Sequence, residues 1–229
     1  MTSFKSWCAA NGCTDAPCVS VVHADAAVLV LDKPAGLLSV PGRGPDKQDC
    51  LSRRVQARFP DALVVHRLDM ATSGLMLMAR GNLAQTTMGK AFAARQVHKR
   101  YQALVHGLLP AHEGRWQEID LAIAVDWPNR PRRIICALTG KPSLTRWRVL
   151  AHTREGCSRL ELEPVTGRSH QLRVHLLAIG HPIVGDTLYP APEPMPAATR
   201  LMLHATEIHF DHPFTGTPMI FASIPPFAA

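Results

Sequence analysis

Short runs of strand-forming residues follow one another along this chain with little but turns between them, and that arrangement narrows the fold more than any other feature. "CVSVVHAD" (18–25) and "AVLVLDKP" (27–34) come first, then "ALVV" (62–65), "GLMLMA" (74–79) and "KRYQALVHG" (99–107). The middle section adds "WQEIDLAIA", "SLTRWRVLAH" and "SRLELEPV", with "DWPNRPRR" as a basic loop and "TGKP" as a turn. "LMLHATEIHF", the turn "DHPFTGT" and "PMIFASI" read as a closing hairpin. Strands that adjoin in sequence pair antiparallel more readily than parallel. The pattern therefore predicts an α+β fold on a largely antiparallel or mixed sheet, and argues against a doubly wound parallel one.

Helical spacing is found in three places. Asp46 is placed to cap "KQDCLSRRVQARF", with Leu51, Val55 and Phe59 on one face and Arg53, Arg54 and Arg58 on the other. Asn82 is placed to cap "LAQTTMGKAFAARQ", with Leu83, Met88, Ala91 and Phe92 near one face. Ser169 is placed to cap a third helix with Leu172, Leu176 and Ile179 as its stripe, stopped by Gly180 and Pro182. The proline-rich "YPAPEPMPAA" (189–198) reads as a surface loop. A tail over 1–17 and a single domain over 18–229 are expected.

Several function classes lose support. No run approaches the roughly 20 apolar residues that span a bilayer, and the N-terminus lacks a hydrophobic signal core, so a cytoplasmic protein without a membrane partner is expected. The cysteines at 8, 13, 18, 50, 136 and 157 form no C-x-x-C pair, and free thiols are expected. The five-residue step of Cys8, Cys13 and Cys18 fits a loose tail better than a metal site. Glycine-rich nucleotide motifs, G-x-S-x-G and H-E-x-x-H are missing, so no cofactor and no metal is expected. His170 and His175 are five apart on one helix, about 140° around its axis, which is wrong for joint chelation.

The formal net charge is +7, and 19 of the 25 basic residues are arginine. Arginine grips phosphate bidentately and stacks on bases, which favours a polyanionic partner, although an arginine- and alanine-rich genome gives the same balance. Within this surplus, "HRLDMATSGLMLMAR" (66–80) sets Arg67 and Asp69 at the mouth of a strand. Arg168 stands at a helix start, where unpaired N–H groups favour an anion, either phosphate or Asp69 itself. His170 and Arg173 share a helix face and extend a basic surface. Residue types alone leave Asp69 open between a turn former and a catalytic carboxylate.

The stretch "HRLDMATSGLMLMAR" resembles the signature of the RluA-type pseudouridine synthases, which isomerise uridine to pseudouridine within RNA. "VLDKPAGLLSVPG", "HKRYQALVHG", "DWPNRP", "TGKPSLT", "TGRSHQLRVHLLAIGHPIVGD" and "LMLHA" resemble further blocks of that family in the same order, across roughly residues 20 to 224. "HRLDMATSG" with "PNRP" and "TGKP" is similar to bacterial dual-specificity members, which modify a tRNA anticodon stem-loop and a large-subunit rRNA hairpin. With only about 20 residues before the first strand, the N-terminal S4-like RNA-binding domain of some relatives is not expected.

The resemblance implies a pseudouridine synthase fold, with a central mixed, mostly antiparallel sheet, flanking helices and a catalytic cleft across the sheet. It makes Asp69 the catalytic aspartate, Arg168 the arginine that holds it ionised, and Tyr101 the tyrosine that stacks on uracil and helps move a proton at C5. A carboxylate is ionised at neutral pH and a guanidinium favours that form, so Asp69 acts on the ribose as nucleophile or as base. Leu172 packs near the base, and Arg67, with His66 in support, fills the space of the flipped nucleotide. Arg130, Arg132 and Arg133 in "PNRPRR" are expected to hold phosphates, and the protein to act as a monomer. Methionines in "LMLMAR", where valine and isoleucine are more usual, affect packing only.

Overall fold

The computed structural model describes residues 19–191 and 198–227; Cys8, Cys13, Cys18 and most of "YPAPEPMPAA" lie outside that range. The chain forms two compact units, one running to His98 and resuming at Ala205, the other covering Lys99–His204.

The first unit contains β1 (Ser20–Ala24), β2 (Val28–Lys33), α1 (Leu51–Gln56), β3 (Ala62–Val64), β4 (Ser73–Arg80) and α2 (Gly81–Ala93). The second contains β5 (His98–His106), β6 (Gln117–Asp120), β7 (Ile123–Val125), β8 (Arg133–Ile135), β9 (Leu144–His152), β10 (Cys157–Pro164) and α3 (Gln171–Ala178). β11 (Leu203–Asp211) and β12 (Pro218–Ala222) return the chain to the first unit. The expected α+β character is present.

In the first unit the strand order is β1-β2-β4-β11, with β3 also paired to β4 and β12 to β11. β1–β2, β2–β4, β3–β4 and β11–β12 are antiparallel. β4 is buried on both faces, which accounts for its unbroken apolar run. Leu75, Leu77 and Ala79 join Val28, Val30, Ile208 and Phe210 under Ala84 and Met88 of α2, while Met76 and Met78 are buried on the other side. Gly74 has φ +106°, and a Cβ there would lie 2.3 Å from the Ala205 carbonyl oxygen, so only glycine fits.

In the second unit the order is β5-β10-β9-β6, antiparallel at β5–β10, β9–β10 and β6–β9. β7 and β8 form a separate hairpin. "WQEIDLAIA" thus divides into β6 and β7, and β8 is an addition to the elements expected from sequence.

All three helix starts differ from expectation. The first helix begins after Cys50, not at Asp46, which lies in a short 3-10 turn over Pro45–Lys47. Cys50 bridges Leu38, and the N–H groups of Leu51 and Ser52 donate to the carbonyls of Leu38 and Ser39, so the preceding backbone is committed to an extended path. α2 is preceded by Arg80, whose guanidinium is tied to Asp61 and to the Asp25 carbonyl; Asn82 lies within its first turn. Leu83 is 70% exposed, leaving Ala84 and Met88 as the buried face. His170, in the left-handed conformation at φ 57°, precedes α3 in place of Ser169.

Candidate active site

The residues singled out in sequence divide between the two units: His66, Arg67 and Asp69 in the first; Tyr101, Arg130, Arg132, Arg133, Arg168, Leu172 and Arg173 in the second.

Asp69 lies on the loop from β3 to β4, and the backbone on each side of it is held. The Ser39 hydroxyl accepts the Leu68 N–H (3.1 Å) and donates to the Leu68 carbonyl (2.7 Å). The Met70 carbonyl receives the Gly36 N–H (2.9 Å) and the Lys33 ammonium (3.1 Å). Lys33 is fully buried and also donates to the carbonyls of Pro34 (2.9 Å) and Leu37 (2.8 Å). A turn bond from Thr72 N–H to the Asp69 carbonyl (3.1 Å) completes the loop. "DKPAGLLS" therefore acts as a receptor for the Asp69 loop, fixing the α-carbon of a half-buried carboxylate from both directions.

Arg67 is exposed and makes no ion pair among the described residues. His66 has packing duties that its expected RNA contact did not anticipate. Its Nε2 accepts the N–H of buried Leu77 (2.8 Å) at the point where the β3–β4 ladder ends, and its ring stacks on Phe92 at 4.7 Å.

In the second unit Tyr101 is buried on β5, opposite Leu162 of β10, on the face that also carries Ala103 and Val105. Lys99, two residues earlier, shares that face by strand alternation. Its Nζ stands 4.0 Å from where a Cβ on Gly167 would be, and burial pushes its ammonium below the usual lysine range. Arg168 is exposed, with Nε and Nη2 directed at the Pro142 carbonyl (3.4 Å). Its backbone is set by Gln171, whose Oε1 accepts the Arg168 N–H (3.0 Å) and the Thr166 hydroxyl (2.7 Å). The Gln171 amide donates to the Leu144 carbonyl (2.9 Å) and the Thr145 hydroxyl (3.0 Å), so α3 starts from a side chain saturated on both ends. Leu172 is buried beside it.

Arg173 does not extend a basic surface. It is 6% exposed and forms a bidentate pair with Asp186, Nε to Oδ2 and Nη2 to Oδ1, both 2.7 Å. Asp186 also accepts the N–H groups of Leu188 and Tyr189, and the Arg173 guanidinium lies over the Tyr189 ring at 5.1 Å. The Tyr189 hydroxyl accepts the Arg133 N–H (2.7 Å) and bonds His170 Nδ1 (2.8 Å). A helix arginine with an acid thirteen residues on is consumed internally, because a buried guanidinium needs a bidentate partner. Nor do Arg130, Arg132 and Arg133 form one exposed cluster: Arg132 lies over Tyr189 at 5.6 Å and Arg133 belongs to β8, leaving Arg130 as the exposed member.

His175 is also structural. Its Nε2 donates to the Leu121 carbonyl and its Nδ1 accepts from the Thr145 hydroxyl, both at 2.9 Å. Burial holds its pKa below the usual imidazole range, with the Leu121 bond and Asp120 opposing. A folded-state pKa below the unfolded value means that the contribution to stability is complete above about pH 6.5 and is lost as pH falls below it. Denaturant unfolding measured from about pH 7.5 to about pH 5.5 is expected to show falling stability, with a shallower fall in His175→Gln.

Sequence reading missed Lys33, Ser39, Gln171 and Lys99. Lys33 had a signal, a cation two residues past the apolar run VLVL, and Lys99 had its two-residue spacing from Tyr101. Ser39 had none, since its partner lies 29 residues away, and Gln171 joins the near Thr166 and Arg168 to Leu144 and Thr145, 26–27 residues away.

Residues 27–178 match the family described as RNA pseudouridylate synthase. The chain is 48% identical over 201 residues to a dual-specificity RNA pseudouridine synthase RluA of Yersinia pestis, covering 88% of this chain and 96% of that one. It is 43% identical over 205 residues to the protein of the same name from Escherichia coli strain K12, covering 90% and 92%. Among solved structures, human RNA pseudouridylate synthase domain containing 1 superposes with a TM-score of 0.72 at 31% identity, covering 91% of this chain and 84% of that one.

Proposed function

The chain belongs to the RNA pseudouridylate synthase family and is an RNA uridine-to-pseudouridine isomerase, and we propose that Asp69 is its catalytic group and that it serves both a tRNA and a ribosomal RNA. The observation that carries the catalytic assignment is the backbone clamp around Asp69. A loop that only turned the chain would not need its two flanking residues held by a buried ammonium and a buried hydroxyl.

The reaction breaks the C1′–N1 bond of uridine, turns the uracil and joins C1′ to C5. The C5 proton is lost, N1 gains one, and no net oxidation or hydrolysis occurs. An ionised Asp69 begins this at the ribose, as nucleophile at the sugar carbon or as base for a sugar proton. Exposed Arg67, one residue beyond His66, occupies the space left when the nucleotide leaves the stack, a step that costs about a few kcal/mol. The family resemblance assigns Tyr101 to the uracil and its C5 proton, Arg168 to the catalytic carboxylate and Leu172 to the base; in this structure the Arg168 guanidinium is exposed and directed at the Pro142 carbonyl.

Dual substrate choice rests on the similarity to enzymes named for it over nearly their whole length. Incubation of the purified protein with an anticodon stem-loop RNA and a large-subunit rRNA hairpin, followed by single-nucleotide pseudouridine mapping, is expected to show conversion of one uridine in each. Conversion in one RNA alone reduces the proposal to a single substrate, and conversion in neither overturns it.

A further inference from the structure

The β7–β8 hairpin tip carries a large aromatic side chain that packing does not explain. Trp127 is 67% exposed, and the Arg130 guanidinium lies over its ring at 4.8 Å. From this we infer that Trp127 is a stacking platform for one unpaired base of the RNA substrate, with Arg130 behind it; the inference rests on the functional reading above.

Three observations support it. First, the tip is built in advance. The Asp126 carboxylate accepts the Asn129 N–H (3.3 Å) and side-chain amide (3.1 Å to each oxygen), while Asp126 N–H donates to the Arg132 carbonyl and Arg132 N–H to the Asn129 carbonyl. Pro128 and Pro131 restrict the same segment, and Arg133 N–H anchors its base to the Tyr189 hydroxyl. Little conformational entropy is left to lose when a ligand settles on the ring.

Second, the surroundings select the partner. The hairpin from Ile123 to Ile135 carries three basic residues, Arg130, Arg132 and Arg133, and one acidic residue, Asp126, whose carboxylate is engaged by Asn129. A phosphate backbone suits that balance better than a protein surface of mixed charge.

Third, the chemistry of the pair fits. A guanidinium on one side of an indole leaves the other side for a base, and a stack of cation, indole and base tolerates any nucleobase because each has a π-face. Such a platform grips a loop nucleotide other than the one that undergoes reaction.

Binding of a fluorescein-labelled anticodon stem-loop RNA by Trp127→Ala, Trp127→Phe and Arg130→Ala tests this, with pseudouridine formation by the wild type on the same RNA as the check on function. Trp127→Ala is expected to raise Kd by about 5- to 100-fold without changing the salt dependence, since it removes no charge. Trp127→Phe keeps a ring and stays within about threefold. Arg130→Ala lowers the slope of log Kd against log salt by about 1. Unchanged Kd in Trp127→Ala, or a loss in Trp127→Phe as large as in Trp127→Ala, overturns the platform while wild-type conversion leaves the functional reading standing. A wild type that converts none of the RNA removes both.

Discussion

Lys33→Met is expected to lower folding stability by about 3 kcal/mol and, at temperatures where wild type and variant are both folded, to slow pseudouridine formation by about 100-fold. The side chain is fully buried, and removing its ammonium takes a donor from the carbonyls of Pro34, Leu37 and Met70 together. A buried acceptor without a donor costs about 1–3 kcal/mol, offset in part because a charge no longer has to be buried. The rate effect has a separate origin. Met70 keeps the Gly36 N–H but loses its tie to β2, so the residue after Asp69 is held from one side, and a displacement of about 1 Å at the reacting group is enough for a 100-fold loss. Single-turnover kinetics beside thermal unfolding check both parts. A fall in kcat with little change in KM marks a positioning defect. Lys33→Arg is expected to fail similarly, since a planar fork does not reproduce three bonds from one nitrogen.

Asp69→Asn is expected to reduce pseudouridine formation at least about 1,000-fold while leaving melting temperature and RNA affinity close to wild type. The two side chains are nearly isosteric, and the backbone on either side is held through Leu68 and Met70, whose bonds the substitution leaves in place. The amide neither attacks a sugar carbon nor takes a proton at neutral pH. RNA affinity comes mostly from phosphate contacts, to which Asp69 contributes no positive charge.

The strand pattern could be read from sequence because β4 is buried on both faces and the terminal hairpin is joined by a turn of recognisable chemistry. Helix starts could not. Each depends on a partner distant in sequence: Leu38 for the first helix, Asp61 for the second, and Leu144 and Thr145 around Gln171 for the third. At the candidate site, the family blocks drew attention to Asp69 and Tyr101, whereas of the two side chains that hold the Asp69 loop only Lys33 left a trace in the sequence and Ser39 left none. Ser39 and Gln171 look like ordinary loop and helix residues until the fold brings Leu68 to the one and Leu144 and Thr145 to the other. Arg173 shows the opposite error, an arginine assigned to the surface by its type and drawn inside by Asp186.

The most direct test of the central claim is release of tritium from C5-labelled uridine in an anticodon stem-loop RNA, because C5 loses its hydrogen only when the new C–C bond forms. Wild type is expected to release label from one uridine per RNA, Lys33→Met to do so about 100-fold more slowly, and Asp69→Asn to release none above background. Release by Asp69→Asn at the wild-type rate would contradict the account, because the carboxylate held by this loop would then play no part in the chemistry.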